Sequence, residues 1–330
     1  MKAFHYVRVT DAHSATTLGQ AQPARFLAGG TNLLDLMREG IEQPDTVVDI
    51  ARLPLATIEA LPGGGLRIGA MVRNSVLADN ERVRTMYPLL SQAILNGASA
   101  QLRNMATTGG NLMQRTRCFY FYDIAARCNK RTPGSGCDAL DGFNRIHAIL
   151  GVSPQCIATH PSDMCVALAA LDATINLTGP LRDRTIPFQE FHRLPGATPN
   201  VDTDLQQGEL ITSIDLPAVA AGMRSTYRKV RDRASYAFAL VSVAAAIVID
   251  DGRIHDVRLA LGGVAPKPWR ARIAERLLEG AVPTAEAFAT AADAELAAAQ
   301  PRTHNRFKIE LAKRTIVAAL MELSGEGNRR

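Results

Sequence analysis

The sequence predicts a two-part α+β protein: a larger α+β or α/β domain ending near residues 216–222, then an antiparallel sheet with helices. Three observations carry this. Short β-rich runs alternate with helical patterns through the first third; runs at 210–216, 225–232, 238–249 and 254–261 read as a meander turned at Asp250-Asp251-Gly252; the last fifty residues are Ala-rich with a helical apolar stripe.

Ala24 to Leu27 reads as a strand, Leu33 to Arg38 as a helix and Thr46 to Ile50 as a strand, and 56–70 as a hairpin folded at Pro62-Gly63-Gly64-Gly65. Val83, Met86, Leu89, Leu90, Ala93, Ile94 and Leu95 recur at helical spacing, with Pro88 splitting the stretch and Asn96-Gly97 ending it. Gln155 to Ala158 reads as a strand, Ser162 to Ala173 as a helix capped by Ser162, and Thr174 to Thr178 as a strand. Ala285 to Ala299 and Arg306 to Leu323 complete the series as helices. The domains are therefore 1–220 and 221–330.

Composition excludes several classes. At 330 residues, 47% hydrophobic and 21% charged, the chain reads as an ordinary globular protein rather than a disordered one. The longest apolar run, Ala237 to Ile249, is too short to span a bilayer, and MKAFHYVRVTDAHS has neither an apolar h-region nor a small-residue cleavage site, so the expectation is no membrane insertion and no export signal of its own. A net charge of +5 gives little support to a nucleic-acid partner, although Arg115, Arg117, Arg127, Lys130, Arg131 and Arg145 gather in one region, as a solvated rim, an anion site or a surface for an acidic partner. No histidine pairs at i, i+4 with another, which argues against a His-based metal site, and no convincing acid/base pair presents itself, so no catalytic residue is assigned.

Two glycine loops share one grammar. FLAGGTNLL (26–34) ends a β-run in Gly29-Gly30, then gives Thr31, Asn32 and a helical pattern; ATTGGNL (106–112) joins Thr107-Thr108 to Gly109-Gly110 and Asn111. Glycines let backbone N–H groups approach a phosphate, while Thr and Asn donate to it or cap the following helix. Neither loop is G-x-G-x-x-G or a P-loop, yet together they could clasp one extended dinucleotide. HPSDM (160–164) adds Asp163 at a helix start, as a cap or a ribose ligand.

Cysteines 118, 128, 137 and 156 are separated by nine, eight and eighteen residues, with Cys165 eight further on. No pair makes C-x-x-C, against zinc-ribbon, thioredoxin and ferredoxin-like patterns; free or bridged thiols remain open on spacing alone. The aromatic run Phe119 to Tyr122 reads as packing. Cys165, on an apolar helical face, reads as a buried structural thiol.

AGGTNLL, TTGGNL and HPSDM, in this order, resemble the FAD-binding subunit of the molybdenum hydroxylases, the xanthine dehydrogenase and carbon monoxide dehydrogenase family; YRKVRDRASYAFALVSVAAAI and LALGGVAPKPWRA look like its C-terminal flavoprotein domain. The resemblance covers essentially the whole chain and is strongest to the flavin subunits of bacterial three-subunit aldehyde oxidoreductases. It implies a vanillyl-alcohol-oxidase-type (PCMH-like) FAD domain of two α+β subdomains. It implies that Leu27, Ala28, Gly29, Gly30, Thr31, Asn32 and Leu33 hold the pyrophosphate, that Thr107, Thr108, Gly110 and Asn111 form a second wall, and that Asp163 binds the adenine-side ribose. Leu210 matches an apolar flavin contact and Lys229 a lysine near the isoalloxazine; on residues alone Lys229 also reads as a surface strand position.

Flavin subunits of this family with an insertion between the second glycine loop and the HPSDM element bind a 4Fe-4S cluster there, which implies Cys118, Cys128, Cys137 and Cys156 as ligands. Pro133-Gly134-Ser135-Gly136 would turn Cys137 back toward Cys128, and the nearby Arg and Lys residues are expected to lower the thiol pKa values. The implied function is an electron-transfer subunit working with a 2Fe-2S small subunit and a molybdenum-cofactor large subunit, passing electrons through FAD to an external acceptor. Its compartment is cytoplasmic, or periplasmic by co-export with a partner. Alternatives are the flavin subunit of a hydroxybenzoyl-CoA reductase or xanthine dehydrogenase type enzyme, a self-contained FAD oxidoreductase, and a structural metal- or nucleic-acid-binding protein.

Overall fold

The computed structural model describes residues 1–21 and 23–325. Strands β1 (His5–Arg8), β2 (Ala24–Leu27) and β3 (Thr46–Asp49) form a parallel sheet with β3 in the middle. Strands β4 (Ile58–Ala60), β5 (Leu66–Gly69), β6 (Thr174–Thr178), β7 (Asp183–Pro187) and β8 (Leu210–Leu216) form an antiparallel sheet in the order β4-β5-β8-β6-β7. These two sheets with their helices are the two α+β subdomains that the sequence resemblance implies. Strands β9 (Arg224–Val230), β10 (Val241–Asp250), β11 (Arg253–Gly262) and β12 (Trp269–Arg270) form the C-terminal antiparallel sheet.

Helices Pro88–Asn96 and Asp163–Ala170 tie the parts together. Asn80 caps helix Glu81–Met86 by accepting from the Val83 amide, and Pro88 opens helix Pro88–Asn96, where a missing N–H costs nothing. Helix Asp163–Ala170 is buried along its whole length; the Ser162 hydroxyl accepts from the Cys165 amide at its start. Side chains alternate across the C-terminal sheet. Tyr227, Ala244 and Ala260 join the core of the first domain, whereas Val243, Ala245, Leu259 and Leu261 join a second core under helices Ala285–Leu296 and Phe307–Ser324.

The sequence reading departs from the structure most at 210–216, expected to open the C-terminal meander: as β8 it pairs instead with β5 and β6 in the five-stranded sheet, so the meander begins at β9. Residues 155–158 form no strand: Ser153 and Cys156 make one isolated bridge, and no regular element follows before the helix cap at Ser162. Strand β1 escapes sequence reading because its residues are mostly exposed and carry no apolar alternation.

Candidate functional site

A cleft of about 670 Å³ runs between the parallel sheet and the five-stranded sheet, walled by both glycine loops. The first wall is Ala28 to Leu33. A Cβ on Gly29 would sit 2.0 Å from the Met105 carbonyl oxygen, and Gly30 adopts φ +74°, so both positions require glycine for close approach and a left-handed turn. Asn32 does not cap the following helix with its side chain, as the sequence implied. Its Oδ1 instead accepts from the Arg115 amide at 3.0 Å, tying the first loop to the chain just past the second. Asn32 Nδ2 is left buried beside the cleft with no protein acceptor. The helix itself spans only Leu33–Arg38, so backbone amides and this carboxamide, more than a macrodipole, make the wall suited to an anion.

The second wall is Thr107, Gly109 and Gly110. Thr107 Oγ1 accepts from the Gly110 amide at 3.2 Å and fixes the loop, while Thr108 turns away to donate to the Val72 carbonyl at 3.0 Å. Leu210, His160 and His192 line the rest, with Lys130 and Asp202. Burial holds the His192 imidazole down at about 4 and His160 well below its ordinary range, so both are neutral. Their rings meet edge to face at 4.4 Å, and with Cys165 they bring three ligand-type atoms within 4.8 Å of one another, a convergence of distant segments invisible to i, i+4 spacing.

Beside the cleft lies a small enclosed pocket lined by Cys118, Cys128, Cys137 and Cys156. Gly134 (φ +85°) and Gly136 (φ +99°) make the turn that pairs Cys137 with Cys128 in an antiparallel bridge. Thr116, Lys130 and Ala158 line both the pocket and the cleft, so a partition of single side chains separates the thiols from the cofactor space. All five cysteines are free thiols.

The profile of the FAD binding domain in molybdopterin dehydrogenase matches residues 2–219, and that of the CO dehydrogenase flavoprotein C-terminal domain matches residues 225–323. The chain belongs to the FAD-binding subunits of the molybdenum hydroxylases. Among relatives, this flavin subunit is 54% identical over 98% of both chains to the aldehyde oxidoreductase FAD-binding subunit PaoB of Escherichia coli. It is 31% identical, over 84% of this chain and 81% of the relative, to the glyceraldehyde dehydrogenase medium chain of Sulfolobus acidocaldarius. The solved carbon monoxide dehydrogenase of Hydrogenophaga pseudoflava superposes with a TM-score of 0.77 at 27% identity, covering 98% of each chain. It is thus an oxidoreductase subunit of the molybdenum aldehyde oxidoreductase type, with FAD as its cofactor.

The structure sorts the residues expected to touch FAD. Ala28, Gly29, Gly30, Thr31, Asn32, Leu33, Thr107, Gly110 and Leu210 line the flavin subunit's cleft. Leu27, Thr108, Asn111, Asp163 and Lys229 are not among its lining residues. Asn111 Oδ1 accepts from Ser162 Oγ at 2.6 Å, joining the second loop to the helix cap. Asp163 accepts from Tyr227 Oη at 2.5 Å and from Lys229 Nζ at 2.8 Å, and Lys229 also donates to the Asn96 carbonyl at 2.9 Å. The two residues expected at opposite ends of the cofactor are therefore bonded to each other. Nor is Lys229 a surface residue, since its side chain is 1% exposed. The buried lysine on the cleft wall is Lys130, which sequence reading left in a basic rim.

That rim is not a free anion surface. Lys130 and Arg115 both pair with Asp202, and Arg115 also reaches Glu42. Burial alone would raise the Asp202 carboxyl, but these cations outweigh it and hold the pKa below the ordinary range. Arg127 pairs with Asp138, and Arg131 donates to the carbonyls of Tyr120 and Phe121. With their charge spent locally, the cations do not bring the Cys118 and Cys156 thiols down as expected. Burial dominates, pushing Cys118 up to about 12 and Cys156 up to about 11, with Lys130 only a partial counterweight at Cys156.

Proposed function

We propose that this chain is the electron-transferring flavin subunit of a molybdenum-containing aldehyde oxidoreductase, holding FAD in the glycine-walled cleft and a 4Fe-4S cluster on Cys118, Cys128, Cys137 and Cys156. One observation carries the reading: four thiols brought together by the 118–156 stretch line one enclosed pocket that shares Thr116, Lys130 and Ala158 with the cleft. A four-thiolate donor set of this kind suits an iron-sulfur cluster, and the irregular spacing is no obstacle once the fold closes the loop. The identity to PaoB, which is named an aldehyde oxidoreductase FAD-binding subunit, supports the substrate class of the complex.

Bound there, FAD and the cluster supply one- and two-electron storage between partner 2Fe-2S centres and an external acceptor. The chain's own residues cradle the anion with backbone amides at Gly29 and Gly30, offer the Asn32 carboxamide, and exclude water with Leu210 in the cleft and Phe121 at the thiol pocket. Aldehyde oxidation itself belongs to a molybdenum-cofactor large subunit, and a 2Fe-2S small subunit completes a heterotrimer. The complex works in the cytoplasm, or in the periplasm after co-export with a signal-bearing partner.

The test is flavin, iron and acid-labile sulfide analysis of the complex purified anaerobically after co-production. The expected result is one FAD and four additional irons assigned to this chain; loss of those irons only when Cys118, Cys128, Cys137 or Cys156 is replaced supports the reading. Iron content unchanged by all four replacements would overturn the cluster, and an absence of flavin would overturn the cleft.

A further inference from the structure

Resting on the reading of Cys118 as a cluster ligand, we propose that His147 tunes the reduction potential of that cluster through an Nε2–H···Sγ hydrogen bond. His147 Nε2 lies 3.1 Å from Cys118 Sγ, with both side chains buried. A cysteine sulfur bound to iron carries no proton, so in the loaded site the bond can run only from the imidazole N–H to the sulfur. The other ring nitrogen agrees with that tautomer: His147 Nδ1 is buried without a hydrogen-bond partner, which a bare lone pair tolerates better than an N–H does.

The ring is held in place from the C-terminal domain. The His147 amide donates to the Asn144 carbonyl at 3.1 Å, and the His147 carbonyl accepts from Lys308 Nζ at 2.9 Å and Asn305 Nδ2 at 3.3 Å. Lys308 is itself fully buried and donates a second bond, to the Gly263 carbonyl at 2.7 Å, so the first turn of helix Phe307–Ser324 clamps the backbone that aims the imidazole. Cys156 Sγ accepts from a backbone donor, the Ala158 amide at 3.4 Å. His147 is thus a side chain through which sequence sets the charge on a ligand sulfur.

A hydrogen bond to a ligating sulfur withdraws negative charge from it and favours the reduced, more negative cluster, raising the potential. His147 acts on the cluster through Cys118 and is a positioning residue rather than a catalytic one. The experiment is an EPR-monitored redox titration of the anaerobically purified complex carrying the wild-type chain, His147→Phe or His147→Gln, with iron and sulfide measured on each. The expected result is a lower midpoint potential in His147→Phe at unchanged iron content, substantially restored in His147→Gln, whose carboxamide can donate from a similar position. Equal potentials in all three at full iron content would overturn the role of His147 while leaving the cluster intact. Wild-type protein without the additional iron would instead overturn the cluster itself, and this proposal with it. Should His147→Phe fail to assemble, nitrogen hyperfine spectroscopy on wild-type complex with ¹⁵N-histidine decides the matter: coupling of one imidazole nitrogen to the reduced cluster supports the bond, and no coupling overturns it.

Discussion

Lys229 Nζ lies 2.8 Å from Asp163 Oδ2, with side chains 1% and 7% exposed, and this ion pair fastens β9 of the C-terminal sheet to the helix that follows the thiol pocket. Tyr227 Oη and the Asn96 carbonyl complete its partners. Such a pair is costly to break on one side, because the surviving charge stays buried.

Lys229→Met should therefore destabilise the folded chain by about 3–5 kcal/mol. Thermal unfolding of the variant, compared with Asp163→Asn and with the double substitution, checks this. The double variant is expected to lose less than the sum of the two singles, and strict additivity would show that the pair is not coupled.

Gly29→Ala should weaken FAD binding by about tenfold or more, or about 1.4 kcal/mol. Its new Cβ has no room, standing 2.0 Å from the Met105 carbonyl oxygen, and the first wall must move away from the second. Titration of deflavinated protein with FAD measures this, and an unchanged dissociation constant would count against the loop as the pyrophosphate cradle.

Cys128→Ser and Cys137→Ser should each lose iron and sulfide while keeping FAD, because they line the enclosed pocket and not the cleft. Cys165→Ala should keep both cofactors, since Cys165 lies in the core of the first domain away from the four-thiol pocket. Absorption spectra with flavin and iron analysis separate the two groups.

Stability should fall as pH drops from about 6.5 toward about 4. The His192 pKa is depressed to about 4 in the fold by burial, and His160 is held well below its ordinary value, whereas an unfolded histidine titrates near pH 6.5. Between those limits the unfolded chain binds more protons than the native one, so acid favours unfolding; above the window the penalty is gone. Melting temperatures across pH 4 to 7 test the sign, and His192→Gln should flatten the slope.

The sequence exposes features whose constraint is backbone geometry or donor chemistry. Gly29-Gly30 and Gly109-Gly110 are visible because close approach and a left-handed turn demand glycine, and Asn80 with Pro88 marks a helix junction because both act within a few residues. The four cysteines stand out by type, and the turn at Gly134 and Gly136 by composition. What stays hidden is pairing across the fold. The bond between Lys229 and Asp163 depends on how β9 packs on a helix 66 residues earlier, and the bond between His147 and Cys118 joins positions 29 apart. Lys130 looks like one more surface cation until Asp202, far along the chain, is folded against it.

The polypeptide that carries the four clustered cysteines departs at Thr116 and rejoins at Ala158, and those two residues border the same small pocket. Its ends meet almost where they began. A segment anchored in this manner meets the remainder of the backbone at a single junction, so its length is decoupled from the separation of the two glycine loops.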